Sequence, residues 1–198
     1  MPMPTWKELL AANPQHSHDY AARWQRIAAS GKDIFGEARL IDALAPRNAR
    51  ILDAGCGTGR IGGWLARRGH EVEGTDLDPV LIEHARKDYP EATWQVADLG
   101  RDELPRNKYD VVVCAGNVVT FIEEPRRGEA LHNIAGAVAP GGRFVVGFGA
   151  GRGWEFGDFT ETCEQTGLVV ENRYSTWDLR PFHEEADFLV AVLAKPQS

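Results

Sequence analysis

One stretch constrains this chain more than any other: Arg50-Ile51-Leu52-Asp53-Ala54-Gly55-Cys56-Gly57-Thr58-Gly59-Arg60-Ile61-Gly62-Gly63. Ile51 and Leu52 suit a parallel strand covered on both faces. Gly55, Gly57 and Gly59 follow at alternate positions, and then Ile61, Trp64 and Leu65 take the i, i+3, i+4 spacing of a helix. Strand, glycine turn and helix start form one unit. The helix start aims free N–H groups and a positive dipole end at the turn. Glycine lets another molecule approach where a Cβ would collide. The expectation is a ligand with a polar or anionic tail lying across the turn.

Two ligand classes fit such a turn. Gly57-x-Gly59-x-x-Gly62 matches the dinucleotide fingerprint, and Asp76 lies 19 residues beyond Gly57, where that fold places a ribose-binding acid. The register argues for the other class. In a dinucleotide fold the first fingerprint glycine closes the strand; here Gly55 holds that place and Gly57 comes two residues late. Asp53 would repel a pyrophosphate, yet it favours a cationic amino-acid tail. Asp53-x-Gly55-x-Gly57-x-Gly59 after a strand resembles the first motif of the class I S-adenosylmethionine-dependent methyltransferases.

Later motifs extend the resemblance over roughly residues 36–195. Glu71 to Thr75 reads as a second strand closing at Asp76, and ligands bind outside the carboxyl ends of such strands. A carboxylate there can accept two hydrogen bonds from a ribose diol. The resemblance makes Asp76 the ribose ligand and sets Leu77 against the adenine. Asp78 reads as the N-cap of the next helix, with Pro79 at its first position. After a third strand, Ala92 to Val96, the resemblance gives Asp98 the adenine amino group and Leu99 a backbone contact. A nicotinamide enzyme needs no such second acid, so Asp98 most separates the two readings. Tyr109 to Cys114 is a fourth, β-branched strand. Ala115 after it joins the expected cofactor contacts. Asn117 is either a polar group near the transferred methyl or a structural turn. Ala139-Pro140-Gly141-Gly142 reads as a helix stop and turn before a fifth strand at Phe144-Val145-Val146. The aromatic and glycine-rich stretch from Gly147 to Phe159 reads either as a border of the substrate opening or as core.

The fold class these motifs imply is α/β: a Rossmann-like seven-stranded sheet, mostly parallel with an antiparallel last strand, and helices on both faces. The last two strands, Leu168 to Trp177 and Asp187 to Lys195, are joined by too few residues for a helical crossover, so they should pair antiparallel. Residues 1–35 should form a helical cap over the cofactor and substrate site, and 36–198 the methyltransferase domain. Thr5 caps a first helix carrying Trp6; a second carries Tyr20 and Trp24, which either contact cofactor or substrate or pack the helix. His18 and Tyr20, with His16 beside them, are the side chains there able to act as a base; the resemblance itself assigns no catalytic residue.

The bounds agree with a single enzyme domain. At 198 residues the chain can bury a sizeable core. A net charge of −7 offers no general attraction to nucleic acid or anionic lipid, so neither is an expected partner. A small-molecule acceptor is the first expectation; the oligomeric state stays open. Cys56, Cys114 and Cys163 make neither a metal spacing nor a disulfide framework, and no metal is expected. Met1-Pro2-Met3-Pro4 lacks the charged and apolar regions of a signal peptide, and no apolar run approaches a membrane span, so the expected setting is the cytoplasm. The His183-Glu184-Glu185 cluster reads as a solvated turn. Three functional readings follow: methyl transfer from S-adenosylmethionine to a small molecule, a non-catalytic cofactor- or partner-binding module on the same fold, and an NAD(P)-dependent oxidoreductase.

Overall fold

The computed structural model describes residues 3–197; Met1, Pro2 and Ser198, at the ends of the two expected segments, lie outside the described residues. Seven strands form one sheet: β1 (Arg50–Ala54), β2 (Glu71–Asp76), β3 (Thr93–Val96), β4 (Tyr109–Cys114), β5 (Val138–Gly149), β6 (Val169–Tyr174) and β7 (Phe188–Ala194). Their order is β3-β2-β1-β4-β5-β7-β6, and β7 alone runs against its neighbours, as expected. The chain therefore reverses direction between β1 and β4, and the carboxyl ends of β1, β2, β3 and β4 share one edge.

Strand alternation sorts side chains between two layers. Leu52, Ala54, Val112, Cys114, Phe144 and Val146 pack on one face with α6 (Arg127–Ala137) and α7 (Phe156–Gln165). Ile51, Val111, Val113 and Val145 pack on the other with α3 (Gly36–Leu44) and α4 (Arg60–Ala66). Helix α5 (Pro79–Asp88) covers β2 and β3 through Ile82, Ala85 and Trp94. Two N-terminal helices, α1 (Trp6–Ala12) and α2 (His16–Ala29), precede this frame. Thr5 and Glu8 form a capping box at the start of α1, satisfying two backbone donors reciprocally.

Two readings need correction. Pro140-Gly141-Gly142 does not stop the chain before a short strand: β5 starts at Val138 and runs through it, with a register shift against β4 between Tyr109 and Val111. Pro140 and Gly141 are exposed, so the missing proline donor interrupts no buried ladder. Gly147 and Gly149 likewise belong to β5, and the aromatics beyond them are core. Phe159 meets Phe148 at 4.9 Å and Trp154 at 5.1 Å between ring centroids, edge to face. His183, Glu184 and Glu185 are exposed in the β6–β7 connection.

Candidate functional site

An open cleft with about 830 Å³ of empty space lies at the carboxyl ends of β1, β2, β3 and β4. Gly55, Gly57, Asp76, Leu77, Asp98 and Leu99 line it, together with Tyr20, so seven of the expected residues converge on one cavity. Backbone rules place them there. Gly55 and Gly57 have φ of 78° and 55°, left-handed values that glycine adopts at no steric cost. A Cβ on Gly57 would stand 3.4 Å from the Tyr20 hydroxyl, so the bare backbone faces the ring across the cleft.

Asp76 closes β2. Its Oδ2 accepts the Gly57 N–H at 2.9 Å and its Oδ1 accepts the Asp78 N–H at 3.0 Å. Burial pushes its carboxyl up to about 6, against the pull of those two donors. An ionised carboxylate has about four lone-pair sites, so Asp76 keeps acceptor capacity for two hydroxyls. Asp98 follows β3. Burial raises its pKa, but the Lys7 ammonium on Oδ2 at 2.7 Å and the Gly100 N–H on Oδ1 at 3.1 Å outweigh that and leave it below the usual carboxylate range.

Five expected residues lie outside the cleft lining: His18, and four at the strand ends and the turn. Asp53 is 2% exposed and its Oδ2 accepts the Gly62 N–H at 2.8 Å. It shares the parity of Ile51, so it points into the α4 layer and holds the glycine turn to the helix. Burial pushes its carboxyl up to about 7. Gly59 packs behind the turn: a Cβ there would stand 2.9 Å from Ala85 and from Trp94. Ala115 is buried, and the next residue, Gly116, lines the cleft instead. Asn117 takes the turn reading. It sits at φ 67° and its Oδ1 accepts the Gly149 N–H at 2.8 Å, tying the end of β4 to the end of β5.

Of the candidate bases, Tyr20 alone faces the cleft, and burial raises its pKa. His18 is exposed and stands edge-on to His84 at 6.2 Å. His16 packs on Trp6 at 4.7 Å. Trp24 lies outside this cleft; its ring lies under the Arg60 guanidinium at 4.2 Å, and Arg60 pairs with both oxygens of Glu37. The reading missed Trp6, Lys7, Phe121 and Glu123, which also line the cleft. Their only signal was local to α1 and to the segment after β4, and neither carries a motif.

A cleft at a strand-order reversal, floored by a bare glycine turn and holding one acid after β2 and a second after β3, defines a nucleoside-binding α/β protein. A methyltransferase-domain family model matches residues 51–142. The crystal structure of a TehB-like SAM-dependent methyltransferase from Corynebacterium glutamicum is 57% identical in sequence, with a TM-score of 0.90, over 92% of this chain and 100% of that one. An uncharacterised methyltransferase of Mycobacterium tuberculosis is 36% identical over 110 residues, 54% of each chain. A dTDP-3-amino-3,4,6-trideoxy-alpha-D-glucopyranose N,N-dimethyltransferase of Streptomyces venezuelae is 30% identical over 128 residues, 64% of this chain and 52% of that protein. This chain thus spans about half the length of the curated relatives it matches. The chain belongs to the SAM-dependent methyltransferases, and the cofactor of that family is S-adenosylmethionine. No helix among the described residues is long and apolar enough to cross a membrane.

Proposed function

We propose that the chain is an active methyltransferase acting on a small-molecule acceptor, with residues 1–35 as a helical cap and 36–198 as the methyltransferase domain. The observation that carries this reading is Asp76: a half-buried carboxylate at the end of β2, fixed by two backbone donors beside the glycine turn, with acceptor capacity left over. Bound S-adenosylmethionine supplies a methyl group already activated by a positive sulfur. The chain's own work is then positioning and exclusion of water. Asp76 accepts the ribose hydroxyls, and Asp98 with the Leu99 backbone accepts and orients the base. Leu77 and Leu81 present apolar surface to it, and Trp6 and Tyr20 cover the cleft from the N-terminal side. Asp53, Gly59 and Asn117 act from behind by shaping the turn and the strand ends. Tyr20 is the one of the expected bases at the cleft, and its raised pKa keeps the phenol protonated, a hydrogen-bond donor to the acceptor; an acceptor that binds unprotonated needs no base.

The small-molecule acceptor is supported by the amino-sugar dimethyltransferase among the relatives and by a net charge of −7, which attracts no polyanion. A reducing compartment, the cytoplasm, suits the three free buried cysteines. The second reading, a binding module that transfers nothing, draws support from the placement of His18 and Asn117 away from the cleft.

Calorimetric titration with S-adenosylmethionine, S-adenosylhomocysteine and both nicotinamide cofactors tests the site, with Asp76→Ala alongside. Binding of the two sulfur ligands, lost in the variant and absent for nicotinamides, is the expected result. Binding of nicotinamides alone would overturn it. Release of S-adenosylhomocysteine during an acceptor screen then separates the enzyme from the binding module.

A further inference from the structure

The N-terminal helices are held in an unusual way. The one buried residue of α1 is Trp6, and the buried residues of α2 are Ser17 and Ala21. Two of these three donate to the same oxygen. Trp6 Nε1–H reaches Asp78 Oδ2 at 2.8 Å and Ser17 Oγ–H reaches it at 2.5 Å, across 72 and 61 positions of sequence. Asp78 is 1% exposed, and its other oxygen accepts the Val80 N–H at 2.9 Å, capping α5. The Asp78 N–H in turn donates to Asp76, which also accepts from Gly57. A connected path of hydrogen bonds therefore runs from both N-terminal helices, through Asp78, to the acid and the glycine turn of the cleft.

Outside these bonds the helices are held by packing and by Trp24, whose ring lies under the Arg60 guanidinium at 4.2 Å. Seven and fourteen residues long, they are too short to be stable alone in water. Lys7 reaches Asp98 from a half-exposed position, where an ion pair contributes little. The Trp6 ring meets Phe121 at 5.8 Å and Tyr20 at 5.6 Å, contacts that depend on where Asp78 holds the indole.

We propose that Asp78 is a positioning residue that anchors α1 and α2 over the cleft and couples their closure to ligand binding at Asp76. The anchoring stands on the free chain alone; the coupling rests on the cofactor reading above. A coupling of this kind is reciprocal: whatever binds at Asp76 steadies the helices, and a chain whose helices are less often closed binds more weakly in proportion to its closed fraction.

The double variant Trp6→Phe/Ser17→Ala tests it. It removes both donors, keeps an aromatic ring in place, and leaves Asp78 capping α5. Trypsin cleavage at the exposed Lys7, Arg23 and Arg26 reports on the helices, first in the free protein and then with S-adenosylhomocysteine. Losing two hydrogen bonds to a buried carboxylate should speed cleavage of the free variant by about tenfold or more. The ligand should slow cleavage of the wild-type helices and slow it far less in the variant, and the dissociation constant for S-adenosylhomocysteine should rise only as far as the closed fraction falls. The main thermal transition should stay in place. Unchanged cleavage of the free variant overturns the anchoring. Equal ligand protection of the variant and the wild type overturns the coupling. A wild-type chain that binds no S-adenosylhomocysteine strikes the cofactor reading and with it the coupling, while the free-protein comparison still decides the anchoring.

Discussion

Asp76 should make cofactor affinity depend on pH in a defined window. With the cleft empty, burial places its carboxyl at about 6. Two hydroxyls donating to the carboxylate favour the ionised form, so binding drives the proton off. At pH 8 Asp76 is ionised before the ligand arrives, whereas at pH 5 only about a tenth of it is. The dissociation constant for S-adenosylhomocysteine should therefore be flat above pH 7. It should rise below pH 6 toward a tenfold increase per unit, to roughly tenfold weaker at pH 5 than at pH 8, about 1.4 kcal/mol. Calorimetry across this range reads the constant. Buffers of different ionisation enthalpy count the proton released at pH 5. Asp98 stays ionised throughout because its pKa is lowered. Asp53 titrates nearby, at about 7, but lies outside the cleft. Asp76→Asn separates the two acids. It should lose the dependence centred on pH 6 and weaken binding by roughly 1–3 kcal/mol, the difference between charge-assisted and neutral hydrogen bonds. A wild-type constant that is flat from pH 8 to pH 5, or a dependence that survives in Asp76→Asn, would refute the assignment.

Three further outcomes are expected. Asp53→Asn should gain stability on the wild type as pH rises. The folded pKa of about 7 lies above an unfolded value of about 3.9, so burial of Asp53 costs nothing below pH 4 and up to about 4 kcal/mol above pH 7. Denaturant unfolding at pH 4.5 and pH 8 measures it, and a difference independent of pH would show that Asp53 ionises in the fold as readily as in the unfolded chain. Gly59→Ala forces a side chain onto φ 78° and within 2.9 Å of Ala85 and Trp94, and should cost about 3 kcal/mol, roughly 6–12 °C in melting temperature. Calorimetry on the folded variant should find weaker ligand binding, because Gly59 shapes the turn that floors the cleft, and unchanged affinity would show that it does not. Lys7→Met takes the ammonium off Asp98 Oδ2 and should tighten S-adenosylhomocysteine binding by less than about tenfold at low salt. Weaker binding by the variant would mean that Lys7 helps the ligand and does not compete with it.

Much of the site was legible because it is local. A strand, a turn and a helix start are written in consecutive residues, and the carboxyl end of a strand is where its last hydrophobic position gives way to an acid. Asp76 and Asp98 could be placed that way, and the short β6–β7 connection was enough to reverse β7. Other placements were open to the same reasoning. Asp53 sits two residues from Ile51, so strand alternation alone directs it into the α4 layer with Ile51 and away from the cleft. Pro140-Gly141-Gly142 looks like a stop because proline and glycine weaken a strand; only the exposed position of Pro140 and Gly141, a tertiary fact, lets β5 continue through them.

The cap is a different case, and Asp78 shows why. Its position before Pro79 is enough to identify a helix cap, and it is one: the Val80 N–H takes one oxygen. Nothing local says who takes the other. A carboxylate 1% exposed cannot leave an oxygen unpaired without a large desolvation cost, so a second set of donors is required wherever such a cap is buried. Burial is what the sequence cannot supply here, because the cover comes from residues 61 and 72 positions away. The same dependence runs in reverse. Trp6 and Ser17 are unremarkable in two short helices until the acid that accepts from them is known, and the helices have no other buried polar anchor among the described residues. Asp76 and Asp78, two residues apart, thus carry opposite kinds of information. One keeps acceptor sites free for a ligand, and the other has its oxygens committed to the fold, so the placement of the N-terminal helices and the readiness of the cleft are set by the same three-residue turn.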